Sequence, residues 1–184
     1  MNRNGRLFVV AGPSGTGKDT LIKEVMKDHD LHMSISATTR KPRPGEVDGR
    51  DYTFVMDREF EKLVERGAFL EWKEVFGRRY GTLAGEVDRV LASGKDVILE
   101  IDVKGALEVK SKVPEAKLIF IKPPSLEELK ARLRGRGADN EEEISARMEV
   151  APGEMVIGEE EFDVIIVNDE INRAAGELAK ALER

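Results

Sequence analysis

Four short stretches, residues 6–10, 96–101, 117–121 and 163–167, are nearly unbroken apolar runs, the pattern of strands buried on both faces of a parallel sheet. Leu21, Ile22, Val25 and Met26 recur at helical spacing and predict a helix over 20–27, directly after the first run. The same periodicity predicts helices over 84–92, 103–110, 126–133 and 171–182. Strands alternating with helices predict an α/β fold, a doubly wound parallel sheet flanked by helices. Two segments interrupt the alternation. Residues 33–80 carry strand-like pieces at 33–36, 52–55 and 69–75, a turn-rich stretch at 41–49 and one helix at 57–65, and they predict an inserted mixed α/β lobe. Residues 125–160 are polar and helical, with Arg132, Arg134, Arg136 and Arg147 around a turn at 135–137, and predict a lid. Pro152, followed by Gly153, predicts that the second lid helix breaks near Val150.

Length and charge narrow the picture. The 184 residues suit one domain, expected over 5–183, with a core at about 1–32, 84–124 and 161–184, the lobe at about 33–83 and the lid at about 125–160. The longest unbroken apolar runs are four or five residues long, against the roughly 18 that span a bilayer, and the absence of cysteine excludes disulfides and thiolate metal sites. A net charge of −6 argues against a surface coated with nucleic acid, so local basic clusters read as sites. The expectation is a cytoplasmic protein with neither membrane nor nucleic-acid partner, its oligomeric state open. Charged residues reach 36% and glutamine is absent, a bias of heat-adapted proteins.

Gly12-Pro13-Ser14-Gly15-Thr16-Gly17-Lys18 fits the phosphate-binding pattern G-x-x-x-x-G-K between a predicted strand and a predicted helix. Glycines let backbone N–H groups turn inward around phosphate oxygens, the helix N-terminus adds its positive end, and a lysine reaches the outer phosphates. The next residue is Asp19, where a hydroxyl would ordinarily serve Mg²⁺; Thr20 offers one a position later. Asp19 is expected to face the metal's water shell. A second basic segment sets Arg40 and Arg43 three apart, stiffened by Pro42 and Pro44, with Tyr52 downstream. Planar guanidinium forks and a phenol suit the phosphate of an acceptor, although a solvated basic loop reads the same. Glu100 and Asp102, two apart at the carboxyl end of a strand where α/β sites form, project to one face; Glu100 is read as an Mg²⁺-associated group, and Asp102 as a site residue or the N-cap of the next helix.

The stretches GPSGTGK, SATTRKPRPGEVDGRDYTFV, FLEWKEVFGRRYGT, ILEID and RLRGRGADNEEEISARM, in this order and spacing, resemble the guanylate kinase family over nearly the whole chain. The resemblance implies a P-loop enzyme that moves the γ-phosphoryl group of ATP onto GMP, and less well dGMP, with Mg²⁺. By position it places Arg40, Arg43, Tyr52 and Tyr80 on the GMP phosphate, and Ser36, Glu71, Thr82 and Asp102 around the guanine. It places Arg132, Arg136 and Arg147 on the ATP phosphates, with Lys18, Arg40, Arg136 and Arg147 as the catalytic charges. Asn168 is read as an adenine neighbour or as a loop cap. Two rivals stand beside this: a non-catalytic protein-binding module of the same type, and a kinase for another phosphorylated small molecule. The intact phosphate loop argues against the first, and the pairing of acids with hydroxyls, which matches guanine's donors and acceptors, against the second.

Overall fold

The computed structural model describes residues 5–75, 77–137 and 140–183. Residues 1–4 and 184 of the expected core, and residues 76, 138 and 139 within the expected lobe and lid, lie outside the described residues. In chain order the elements are β1 (Leu7–Ala11), α1 (Lys18–Val25), β2 (Leu31–Met33), β3 (Ala37–Thr38), β4 (Thr53–Phe54), α2 (Asp57–Glu65), β5 (Phe69–Val75), β6 (Arg78–Leu83), α3 (Ala84–Ala92), β7 (Asp96–Glu100), α4 (Val103–Lys112), β8 (Lys117–Lys122), α5 (Leu126–Gly135), α6 (Glu141–Glu161), β9 (Val164–Val167) and α7 (Ile171–Leu182).

Five strands form a parallel sheet in the order β2-β7-β1-β8-β9. The apolar runs are continuous because both faces are covered. Leu7, Val9 and Ala11 of β1 pack on one side with α3 and α4, while Phe8 and Val10 pack on the other with α1 and α7. Period-two alternation thus feeds two cores from one run. The crossover connections bring the carboxyl ends of β1 and β7 together, where open α/β sheets form their sites.

The lobe is a second sheet in the order β4-β3-β6-β5, closed by α2 through Phe60, which stacks on Phe69 at 4.5 Å. Here the structure differs from the expectation. The strand expected over 33–36 is divided: Leu31–Met33 pairs with β7 in the core sheet, Ala37–Thr38 pairs with β4 and β6 in the lobe, and residues 34–36 carry the chain across. The alternating pattern of side chains runs through the crossing, so nothing local marks it. Strand β6 was not expected, since Arg78-Arg79-Tyr80-Gly81 has little apolar content; its pairing with β5 and β3 makes it.

The register of β5 against β6 slips between Phe69 and Glu71. Phe69 and Trp72, three apart, both lie against Phe60, which a strand of period two allows only with an inserted residue. The bulge sends Leu70 and Glu71 together to the opposite side, toward α4, where Leu70 joins the main core.

In the lid, α6 runs unbroken from Glu141 to Glu161 with Pro152 inside it, which corrects the expected break near Val150. Pro152 itself is on the exposed side of the helix, where its ring meets no packed neighbour element among the described residues. Tertiary docking on either side of it holds the axis: Ile144 and Ala151 pack on Leu129 and Leu133 of α5, and Gly158 lies against the ring of Phe120.

Candidate active site

The phosphate loop leaves β1 at Gly12 and enters α1 at Lys18. Gly12, Gly15 and Gly17 hold φ of 149°, 91° and 84°, conformations that side chains resist. Each is also sterically closed: an added Cβ would lie 2.1 Å from the Ile121 carbonyl oxygen at Gly12, 2.8 Å from Leu133 Cδ2 at Gly15 and 2.6 Å from Asn168 Nδ2 at Gly17. The loop is braced from within and without. Thr16 Oγ1 donates to the Pro13 carbonyl at 2.9 Å, and Asn168 Nδ2 donates to the Thr16 carbonyl at 2.7 Å. Asn168 is therefore a cap on the phosphate loop, the second of its two sequence readings. Lys18 Nζ donates to the carbonyls of Gly12 and Pro13 at 2.7 and 3.0 Å. Burial pushes its ammonium below the ordinary lysine value, opposed by the carboxylates of Glu100 and Glu154.

The lid reaches this loop directly. Arg147 Nη1 donates to Ser14 Oγ at 2.8 Å, and Leu129 and Leu133 of α5 pack over Gly15. Arg132 is turned along its own helix to Glu128, 3.0 Å away, and Arg136 caps α5 as an exposed residue whose charge still reaches Lys18 and Glu100. Asp19 Oδ2 pairs with Lys23 Nζ at 2.8 Å one helical turn on, both side chains being at least half exposed, and its charge still reaches Glu100. The nearest cation on its own helix takes the carboxylate, a pairing that competes with the expected place of Asp19 at a metal's water shell. Thr20 is likewise exposed.

Two adjoining hollows open beside the loop. One, of about 270 Å³, is lined by Ser36, Tyr52, Glu71, Lys73, Tyr80 and Glu100 among others. The second, of about 950 Å³, takes in Gly12, Ser14, Lys18, Asp102, Arg147 and Glu154. Lys73, Val75, Glu100 and Ile101 line both, so they form one cleft.

At the deep end of the smaller hollow Glu71 is 3% exposed, and burial pushes its carboxyl up from the ordinary glutamate value. Thr82 Oγ1 donates to Glu71 Oε1 at 2.6 Å, which spends the hydroxyl proton on the carboxylate. Gly105 of α4 makes room for the other oxygen, since a Cβ there would lie 3.1 Å from Glu71 Oε2. Asp102 is the N-cap of α4, accepting from the Gly105 N–H at 2.7 Å, and it also forms an ion pair with Lys73. Although burial works to raise it, the Gly105 N–H and Lys73 hold its carboxyl below the usual aspartate value.

At the shallow end the Arg40 guanidinium lies over the ring of Tyr52 at 5.1 Å, and Tyr80 stands edge-on to Tyr52 at 6.2 Å. Arg40 is also held in a two-pronged pair by Glu46, at 2.9 and 2.8 Å, and Glu46 accepts the Arg43 N–H at 2.7 Å. The Arg40 hydrogen bonds and that N–H hold the Glu46 carboxyl down to about 2. Arg43 itself is exposed on the loop.

Four residues of this cleft escaped the sequence reading: Glu46, Lys73, Gly105 and Glu154. Lys73 had a signal, since alternation puts it on the same side of β5 as Glu71. Glu154 had none, because the expected break at Pro152 removed its helix. Among the described residues no cluster of three His, Asp or Glu side chains could hold a metal unaided. Mg²⁺ ordinarily takes one or two carboxylates and the substrate's own phosphates, and Glu100, beside Lys18, fits that pattern.

The family model for guanylate kinase matches residues 4–184. The chain is 48% identical to a guanylate kinase of Rubrobacter xylanophilus over 183 residues, covering 99% of this chain and 95% of that relative. It is 49% identical to a guanylate kinase of a Shewanella species over 180 residues, covering 97% and 86%. Among solved structures it resembles guanylate kinase from Anaplasma phagocytophilum, with a TM-score of 0.76 and 30% identity over 98% of this chain and 85% of that one. A gluconokinase from Sinorhizobium meliloti, 13% identical with a TM-score of 0.53 over 98% of this chain and 93% of that one, shares the fold alone. With its phosphate loop, lobe and lid arranged around one cleft and its sequence matched from end to end, the chain belongs to the guanylate kinase family.

Proposed function

We propose that the chain transfers the γ-phosphoryl group of ATP to GMP, giving ADP and GDP, with ATP at the phosphate loop and GMP in the smaller hollow. The observation that carries this reading is the continuity of the cleft. Lys18 faces one part of it and the Glu71–Thr82 pair the other, with Glu100 on the wall between. Guanine offers N1–H and an exocyclic amine as adjacent donors, which Glu71 and Asp102 accept, and Ser36 donates to its acceptor edge. Tyr52, Tyr80 and Arg40 address the acceptor phosphate, Arg43 joining them as the loop folds in. A GMP phosphate oxygen forms a bond to the γ-phosphorus as the bond from that phosphorus to the bridging β–γ oxygen breaks.

The charge that accumulates on the β-phosphate meets the loop N–H groups and Lys18, while Arg132, Arg136 and Arg147 address the phosphates from the lid. The Arg147–Ser14 contact and the packing of Leu129 and Leu133 over Gly15 support a lid that excludes water. Mg²⁺ bound to the ATP phosphates would neutralise charge, with Glu100 as the protein group nearest in chemistry to its water shell. No helix among the described residues is long and apolar enough to cross a membrane, and we place the reaction in the cytoplasm, with its nucleotide substrates.

Coupled measurement of ADP formation with GMP, dGMP, AMP, CMP and UMP tests this reading. GMP is expected to be the best acceptor and AMP poorer by about 10⁴, because a buried carboxylate facing adenine N1 has no donor to accept. Comparable turnover of AMP would overturn it, and a binding-only module would form no ADP at all.

A further inference from the structure

Lys73 occupies a place in the cleft that the roles above leave unexplained. It stands on β5 two residues beyond Glu71, opposite Tyr80 in the register with β6, and so lies midway between the base end and the phosphate end of the acceptor hollow. It also lines the larger hollow. Its ammonium crosses from the lobe to the core and pairs with Asp102 Oδ2, while Asp102 Oδ1 accepts from the Gly105 N–H at 2.7 Å. Glu71, whose carboxylate lies against Gly105, neighbours the pair.

The Lys73 and Gly105 tethers bind different oxygens, and the Lys104 N–H adds a weaker backbone contact at the helix end. A carboxylate offers about four lone-pair positions, two on each oxygen, so one tether per oxygen leaves acceptor capacity on both while fixing the plane of the group. With the backbone contacts of Gly105 and Lys104 alone, Asp102 would be an ordinary helix N-cap, held from the helix side only. With Lys73 as well, the carboxylate is presented in one orientation before substrate arrives, and ordering it no longer subtracts from binding.

We infer that Lys73 is a positioning residue for guanine recognition, holding the Asp102 carboxylate from across the cleft in the orientation that accepts the base's exocyclic amine. The inference rests on the base-reading role given to Asp102 above. Lys73 touches the base only through Asp102, and its pairing ties β5 of the lobe to the N-terminus of α4.

Steady-state kinetics at saturating ATP, with GMP and with IMP, which lacks the exocyclic amine, test it in Lys73→Met, Lys73→Arg, Asp102→Asn and the Lys73→Met/Asp102→Asn double variant. Lys73→Met is expected to raise KM for GMP about tenfold, or ~1.4 kcal/mol, with kcat within about twofold and KM for IMP unchanged within about twofold. Lys73→Arg keeps the cation and restores KM for GMP to within about threefold of the parent, a rescue that a purely structural defect would not show. In the Asp102→Asn background the Met substitution adds less than about twofold.

An unchanged KM for GMP in Lys73→Met overturns the inference, as does a full tenfold effect in the absence of the Asp102 charge. So does a fall in kcat at constant KM, which would put Lys73 on the transferring phosphoryl group. A parent enzyme that uses IMP as well as GMP would instead remove the base-reading role of Asp102, a failure visible before any Lys73 variant is made.

Discussion

Replacing Glu71 by glutamine should weaken the enzyme and strengthen the fold, and the same burial causes both effects. The side chain is 3% exposed; one oxygen receives the Thr82 hydroxyl at 2.6 Å and the other lies against Gly105, where a Cβ would come within 3.1 Å. Glutamine has the same shape and can keep an oxygen toward Thr82, but its amide then turns N–H donors toward guanine's own donors. A charge-assisted hydrogen bond is worth roughly 1.5 to 3 kcal/mol, so kcat/KM for GMP should fall about 10- to 150-fold, mostly through KM.

Stability moves the other way. Burial raises the Glu71 carboxyl above its ordinary value of 4.5, so the folded chain holds this proton more tightly than the unfolded chain. Ionised Glu71 is therefore a cost to the fold, present in full above its folded value and gone below about 4.5, where both states are protonated. Glutamine carries no such cost. At pH 7 the variant should melt above the parent, by about 2–4 °C for each kcal/mol relieved, and the gap should close as the pH falls toward 4.5. Thermal melts between pH 4 and 8, beside the ADP assay, measure both effects. Unchanged GMP kinetics, or a variant melting below the parent at pH 7, would refute the argument.

Asp19→Ser removes an exposed pair with Lys23, a contact of a kind worth about 0.3–0.5 kcal/mol; the Mg²⁺ dependence of the rate should superimpose on that of the parent, and a shift beyond about threefold in half-saturating Mg²⁺ would show that Asp19 turns to the metal after all. Gly158→Ala should lower the melting midpoint, because the new Cβ would stand 2.4 Å from the fully buried ring of Phe120, an overpacking cost of about 1–3 kcal/mol against a helix-propensity gain of about 1. A midpoint equal to or above the parent's, itself expected above about 60 °C from the charge-rich, glutamine-free composition, would contradict that packing.

The sequence by itself determined the elements whose signals are local. The strand runs at β1, β7 and β8 are apolar in their central residues because both sheet faces are covered, and helices such as 84–92 and 171–182 carry complete apolar stripes, so their periods were legible without a partner. The phosphate loop was legible for the same reason: glycine spacing and a lysine are consecutive residues, and the backbone conformation they permit is a local property.

Tertiary structure decided what depends on partners distant in sequence. The division of residues 31–38 between two sheets, and strand β6 itself, exist through their pairings and not through their composition. The bulge at Leu70 aims Glu71 at α4, and the fit of Phe69 and Trp72 around Phe60 requires that extra residue. Helix α6 passes through Pro152 because its two halves dock on α5 and on Phe120, an energy no helix signal contains. The charges of the cleft divide the same way: Asp19 meets Lys23 one turn along its own helix and Arg40 meets Glu46 within one loop, both local pairings, whereas Asp102 meets Lys73 of the lobe only once the chain has folded, because an ionised side chain pairs with the nearest accessible opposite charge.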